Sequence, residues 1–147
     1  MMVNTRNVSR FTGALPTSPM NADREIVGGP LYSPAEVLSL LNTRGVEGLK
    51  AWTKGCIEDL QKWELDLDDV LELVRLCLHG GQFLGAEWCI QKPGGPWAAC
   101  DAYRVCRREW VKATFKEMDF EYYIKFAIGK TGQLLLLTSC HPSEDRW

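Results

Sequence analysis

Histidine is nearly missing from this chain: its 147 residues include two, His79 and His141. Six cysteines are present, but Cys56, Cys77, Cys89, Cys100, Cys106 and Cys140 contain no C-x-x-C pair, and no H-x-x-x-H accompanies them. That spacing argues against a zinc site and against a thioredoxin-like redox pair. The thiols read instead as reduced and mostly buried, serving as small apolar side chains. No metal or cofactor is implied. No apolar run approaches the roughly 18 residues needed to span a bilayer, and the N-terminus has no continuous apolar stretch like that of a secretory signal. A cytoplasmic protein with no membrane partner is expected. Lys92 lies beside Gly94 and Gly95 without a following G-K-S/T, which excludes a P-loop. Ser139 has no G-x-S-x-G setting, which excludes a nucleophile elbow. There is no internal repeat.

Apolar residues make up 46% of the chain, enough to fill a core in one domain. The net charge of −2 is unevenly spread. Residues 33–80 hold five Lys/Arg against nine Asp/Glu, whereas residues 88–130 hold eight against five. The second half suits either a polyanion or ordinary solvation.

Residues 1–31 read as a flexible tail, because Asn, Thr, Ser, Pro and Gly recur without a period. A domain follows over residues 32–147. "SPAE" opens the first helix: Ser33 caps, Pro34 suits the first helical position and Glu36 can reach back to the cap. The apolar steps Leu49, Trp52, Cys56, Leu60 and Trp63 predict a second helix over about 46–62. Asp66 caps a third, with Asp68 and Asp69 at its positive end and Val70, Leu73, Val74 and Cys77 on one face. Strands are expected at 88–91, in "WAACDAYRVCRR", at 122–128 and at 134–140. Residues 109–119 fit either a short helix or a hairpin. The fold class is therefore α+β: three N-terminal helices followed by an antiparallel β-meander.

In the strand "EYYIKFAI", Tyr122, Ile124, Phe126 and Ile128 point one way, into the core; Tyr123, Lys125 and Ala127 point the other way. A phenol and a cation side by side suit a site that holds a phosphate and moves a proton. The same pair suits a plain solvated face. His141 ends the last apolar strand, and its ordinary pKa suits acid–base work near neutrality. Pairing Ile128 with Gln133 puts residues 136, 138 and 140 on the Tyr123 face; a one-residue bulge in "GKTG" brings Leu137, Ser139 and His141 over instead. On the preceding strand, Arg104, Arg107 and Arg108 can hold phosphates and Tyr103 can stack on an unpaired base. An Asp101–Arg pair and a core Tyr103 are the alternatives.

Together these segments resemble the MqsR-like toxins of bacterial toxin–antitoxin systems. "AEVLSLLNTRGVEGL" is similar to that family's opening helix. "DLQKWELDLDDVLELVRLC" is similar to its A-x-x-L-G-L-x-x-x-D-V-x-x-V-I segment, and "CDAYRV" to its W-Q-D-V-Y-R-P. "YYIKFAI" and "GQLLLLTSCH" are similar to its Y-I-K-L-T-V and V-L-I-V-S-F-K. The resemblance implies a RelE-like fold and metal-independent cleavage of messenger RNA, free or on the ribosome, by attack of the ribose 2′-hydroxyl. It also implies a cognate antitoxin protein as partner. Tyr123 and Lys125 match the family's tyrosine and lysine, and His141 stands where the family has a terminal lysine, as a general acid. Arg104, Tyr103, Arg107, Arg108 and Lys92 would meet the RNA, Lys92 standing in for a family lysine under a shifted alignment. Cys100 replaces the family's glutamine and "AEWCIQKPGG" replaces F-Y-K-S-M-T-T. These departures favour a second expectation: a catalytically inactive binding protein, carried by a phage or mobile element, that engages another protein.

Overall fold

A computed structural model describes residues 6–17 and 24–143; residues 1–5, 18–23 and 144–147 lie outside the described residues. The three expected helices are present. Helix α1 spans Pro34–Arg44, with Ser33 Oγ accepting the Glu36 N–H. Glu36 does not reach back to the cap; its carboxylate pairs with Arg10 at 3.4 Å. The second helix is shorter than the periodicity predicts. Residues Gly45–Gly48 form a 3₁₀ turn, Leu49–Ala51 form strand β2, and helix α2 starts only at Lys54 and runs to Lys62. Thr53 sets that later start, because its Oγ1 accepts the Cys56 N–H at 3.1 Å. Helix α3, Leu67–Gly80, opens on a reciprocal capping pair: Asp66 Oδ1 accepts the Asp69 N–H at 2.8 Å and Asp69 Oδ2 accepts the Asp66 N–H at 3.0 Å.

The expected plan of three helices followed by an antiparallel meander of RelE/MqsR type is corrected. Strand β1 (Glu25–Ile26) precedes every helix, and β2 lies between two of them. They join β3 (Gln82–Ile90), β4 (Trp97–Val111), β5 (Lys116–Ile128) and β6 (Leu135–Pro142) in one six-stranded sheet of order β1-β3-β4-β5-β6-β2. The sheet is mixed, since β2 pairs parallel with β6. The physical reason is that Gly48 packs against Leu40 and Arg44, which leaves "LKA" extended beside β6. The ambiguous stretch 109–119 continues β4 and β5 as a hairpin.

The tail expected over residues 1–31 is also corrected where it is described. Residues 6–10 insert where β4 and β5 diverge: the Val8 N–H donates to Trp97 O and the Arg10 N–H to Ile128 O. Ser9 is fully buried, and its Oγ accepts the Ala99 N–H at 2.9 Å. Phe11, Leu15, Ile26 and Leu31 then cover Trp88, Trp97 and Ala99. This chain segment does over the β3 side of the sheet what the helices do over β4 to β6. Recurring Asn, Thr, Ser, Pro and Gly masked it, because its partners lie about ninety positions away and leave no local period.

Asp101 fastens the end of that segment. Its carboxylate, fully buried, accepts the Leu31 N–H at 2.9 Å and the Tyr32 N–H at 3.1 Å. Asp101→Ala leaves both N–H groups without an acceptor and is expected to cost about 2–4 kcal/mol, read by chemical denaturation. Burial holds the Asp101 carboxyl above its usual range, partly offset by the two N–H donors. The folded chain therefore binds this proton first as pH falls. Its contribution is complete below the ordinary carboxylate pKa and declines as pH rises through the raised one. Asp101→Asn should flatten the pH–stability curve over that interval.

Among the described residues, no helix is long and apolar enough to cross a membrane. Five of the six cysteines are buried and Cys106 is exposed. Burial pushes the Cys56 and Cys77 thiols up to about 12, which keeps them protonated.

Candidate functional site

The helices pack on one face of the sheet, against Tyr122, Ile124, Phe126, Leu135 and Leu137. The opposite face carries the candidate chemistry. Where His141 falls depends on one irregularity. Ile128 pairs with Leu135, a count that would set Thr138 opposite Lys125 and turn His141 toward the helices. The register shifts between Lys125 and Phe126 instead, so Lys125 meets Ser139 and Tyr123 meets His141. The bulge is at Thr138, not in the "GKTG" turn. The junction between β2 and α2 holds it: Thr53 Oγ1 donates to Thr138 O at 3.0 Å, and the Trp52 N–H donates to Leu137 O at 2.9 Å.

Two cross-strand rows result. The first runs Gln82, Arg104, Tyr123, His141 across β3 to β6; the second runs Gly85, Ala102, Lys125, Ser139. The Tyr123 and His141 rings stack with centroids 5.5 Å apart and 30° between planes. His141 Nδ1 lies 2.8 Å from Pro142 O. A carbonyl oxygen only accepts, so Nδ1 carries the proton and the neutral ring offers its lone pair at Nε2. The contact therefore fixes both the tautomer and the ring's direction.

Lys125 Nζ donates to Glu87 Oε1 at 2.5 Å and lies 5.8 Å from the Tyr123 ring centroid. Burial by itself lowers the Lys125 pKa, but the Cys89 sulfur and the Glu87 carboxylate beside it hold the ammonium above the ordinary lysine range. It is a permanent cation under the row. Burial raises the Tyr123 phenol and the Lys125 charge partly opposes it, leaving the phenol above its usual value. Tyr123 is thus a proton donor at neutral pH, not a phenolate. Arg104 is about half exposed, with Nε 3.5 Å from Glu121 Oε1. It can turn toward a bound anion at the cost of a surface pair worth under about 1 kcal/mol.

The structure thus brings together Arg104, Tyr123, Lys125 and His141. It separates the other expected RNA contacts. Tyr103 points the opposite way, is buried, and stacks on Phe126 at 5.7 Å, so it cannot receive a base. Arg107 also faces the helices, bound to Asp69, Glu72 and Glu109, each at 3.0 Å; it anchors α3 to β4. Both corrections follow from strand alternation, since odd-numbered residues of β4 face the core. Arg108 shares the site face but lies farther along the hairpin, paired with Glu117 and Asp119. Lys92 follows the far end of β3 from Gln82 and does not meet the row. Cys100, at the place of the family's glutamine, is fully buried, and Thr138 Oγ1 donates to its sulfur at 3.6 Å.

Glu87 was not legible as a functional residue. A strand expected only from Trp88 onward excluded it, whereas β3 starts at Gln82. The available signal was alternation: a lone carboxylate between Ala86 and Trp88, in phase with Cys89. Comparison of the chain with protein-family models, with curated proteins and with solved structures gives no match.

Proposed function

We propose that this protein is a metal-independent endoribonuclease that cleaves messenger RNA by attack of the ribose 2′-hydroxyl on the adjacent phosphate. The observation that carries the reading is the register that sets His141, with a directed Nε2 lone pair, against Tyr123 and in line with Arg104. In this reaction His141 Nε2 takes the 2′-hydroxyl proton. The 2′ oxygen bonds to phosphorus, the bond from phosphorus to the 5′ oxygen breaks, and that oxygen takes the Tyr123 phenol proton. The products are a 2′,3′-cyclic phosphate and a 5′-hydroxyl end. Lys125 stabilises the phenolate left on Tyr123, and Arg104 balances the charge growing on the phosphoryl oxygens. Solvent returns the proton from His141 to Tyr123. His141 is a base in the attack here, where the family resemblance made it an acid.

This chemistry agrees with the activity implied by the MqsR-like resemblance, and on that reading the protein acts in the cytoplasm as a toxin that a cognate antitoxin protein neutralises. A second reading, a binding protein without cleavage, draws on Glu87, which already engages Lys125, and on Cys100, which buries the place of the family's glutamine. Brief induction in a bacterium separates the two. Growth arrest with new primer-extension stops that vanish in His141→Ala supports the nuclease. Normal growth and an unchanged RNA profile, with folded protein present at equal amount, favours the binding protein.

A further inference from the structure

A hollow of about 440 Å³ opens beside Tyr123, lined by Val27, Leu84, Gly85, Glu87 and Ala102 among others. That volume lies within the roughly 300–1,000 Å³ of small-molecule sites. Its floor is made of the smallest side chains on the sheet, since Gly85 pairs directly with Ala102. Gly85 has φ +140°, a conformation that favours glycine, and a Cβ there would meet nothing within 4 Å. The space is therefore open as well as shallow-floored. The register shift between Phe83 and Gly85 sets Leu84 outside the ladder, at the rim. β1 pairs only with Ala86 and Glu87, so the β3 edge runs on past it beside the hollow.

Two features give the hollow a chemistry. His141 lies against the Tyr123 ring from the β6 side, the Lys125 ammonium lies 5.8 Å from its centroid, and Tyr123 also lines the hollow, which opens on the β3 and β4 side. Lys125 holds Glu87 Oε1, and the carboxylate keeps a second oxygen as an acceptor at the wall. An aromatic plane, an acceptor and an apolar rim suit a flat heterocycle that carries N–H groups on one edge.

We infer that this hollow is the subsite for one unpaired nucleobase of the substrate, which stacks on Tyr123 and donates an N–H to Glu87. The inference rests on the ribonuclease reading for the identity of the ligand, and it assigns that site its recognition element. A base seated there holds its own ribose and phosphate toward Arg104 and His141, so only single-stranded RNA fits.

The test is equilibrium binding of adenosine, guanosine, cytidine and uridine 3′-monophosphates to the full chain, against ribose 5-phosphate and inorganic phosphate. At least one nucleotide is expected to bind about tenfold or more tighter than ribose 5-phosphate, the increment of one stacked base. Ala102→Leu, which fills the floor, should abolish that increment; Leu84→Asp at the exposed rim should weaken it, and serves as the test where the buried Ala102 substitution perturbs folding. Lys92→Ala, which lies off the row, should keep it. Equal binding of ribose 5-phosphate and all four nucleotides overturns the subsite, even if RNA is cut. A base-dependent increment lost in Ala102→Leu or Leu84→Asp upholds it, even if RNA is not cut and the ribonuclease reading fails.

Discussion

His141→Gln is expected to slow RNA cleavage by about 10²–10⁴-fold while leaving the melting temperature near that of the parent. Glutamine keeps a polar side chain at the strand exit, so the local packing beside Tyr123 survives. It cannot accept and release a proton. The lost rate therefore reports proton transfer and not collapse of the site. The magnitude follows from the geometry: Nδ1 is committed to Pro142 O, so Nε2 is the only nitrogen of this ring available to the substrate. Tyr123→Phe is expected to lose a similar factor, because the phenol, held protonated by burial, supplies the second proton. A rate within threefold of the parent for His141→Gln would remove His141 from the chemistry.

The largest stability effect is expected at Trp97→Ala, about 3–5 kcal/mol measured by denaturant unfolding. Trp97 is 1% exposed and packs with Trp88 and Ala99 under Phe11, Leu15, Ile26 and Leu31. Its backbone also meets the N-terminal segment, with the Trp97 N–H donating to Arg6 O and the Val8 N–H to Trp97 O. Loss of the indole opens a cavity between the sheet and its cover of irregular chain. Against a typical total of about 5–15 kcal/mol, such a loss leaves the fold marginal. Trp110→Ala is the matched control. Trp110 is 59% exposed on the hairpin, resting on exposed Phe115, and its removal should stay within about 0.5 kcal/mol. If both substitutions cost the same, the N-terminal segment is not part of the core.

The helices were legible because their signals are local. Ser33, Asp66 and the apolar steps of α3 act within one or two turns. The alternation of β5 likewise separated Tyr123 and Lys125 from Tyr122 and Ile124. What failed depends on distant partners. Strand β2 has three residues and takes its conformation from β6, more than eighty positions later. Residues 6–17 are ordered by Ala99, Trp97 and Ile128, not by their own composition. Alternation alone allows His141 two registers, and the Thr138 bulge decides between them through the distant Thr53 hydroxyl. Glu87 was missed for the same kind of reason: its meaning comes from Lys125, thirty-eight positions away.

The central claim is that a cross-strand row of Arg104, Tyr123 and His141 breaks phosphodiester bonds with its own side chains. The most direct measurement incubates the purified chain with a single-stranded RNA in excess chelator and identifies the new ends. The claim predicts cleavage that chelator does not affect, with 2′,3′-cyclic phosphate and 5′-hydroxyl ends, absent with His141→Gln. Intact RNA under these conditions, or cleavage that leaves 5′-phosphate ends, would contradict it.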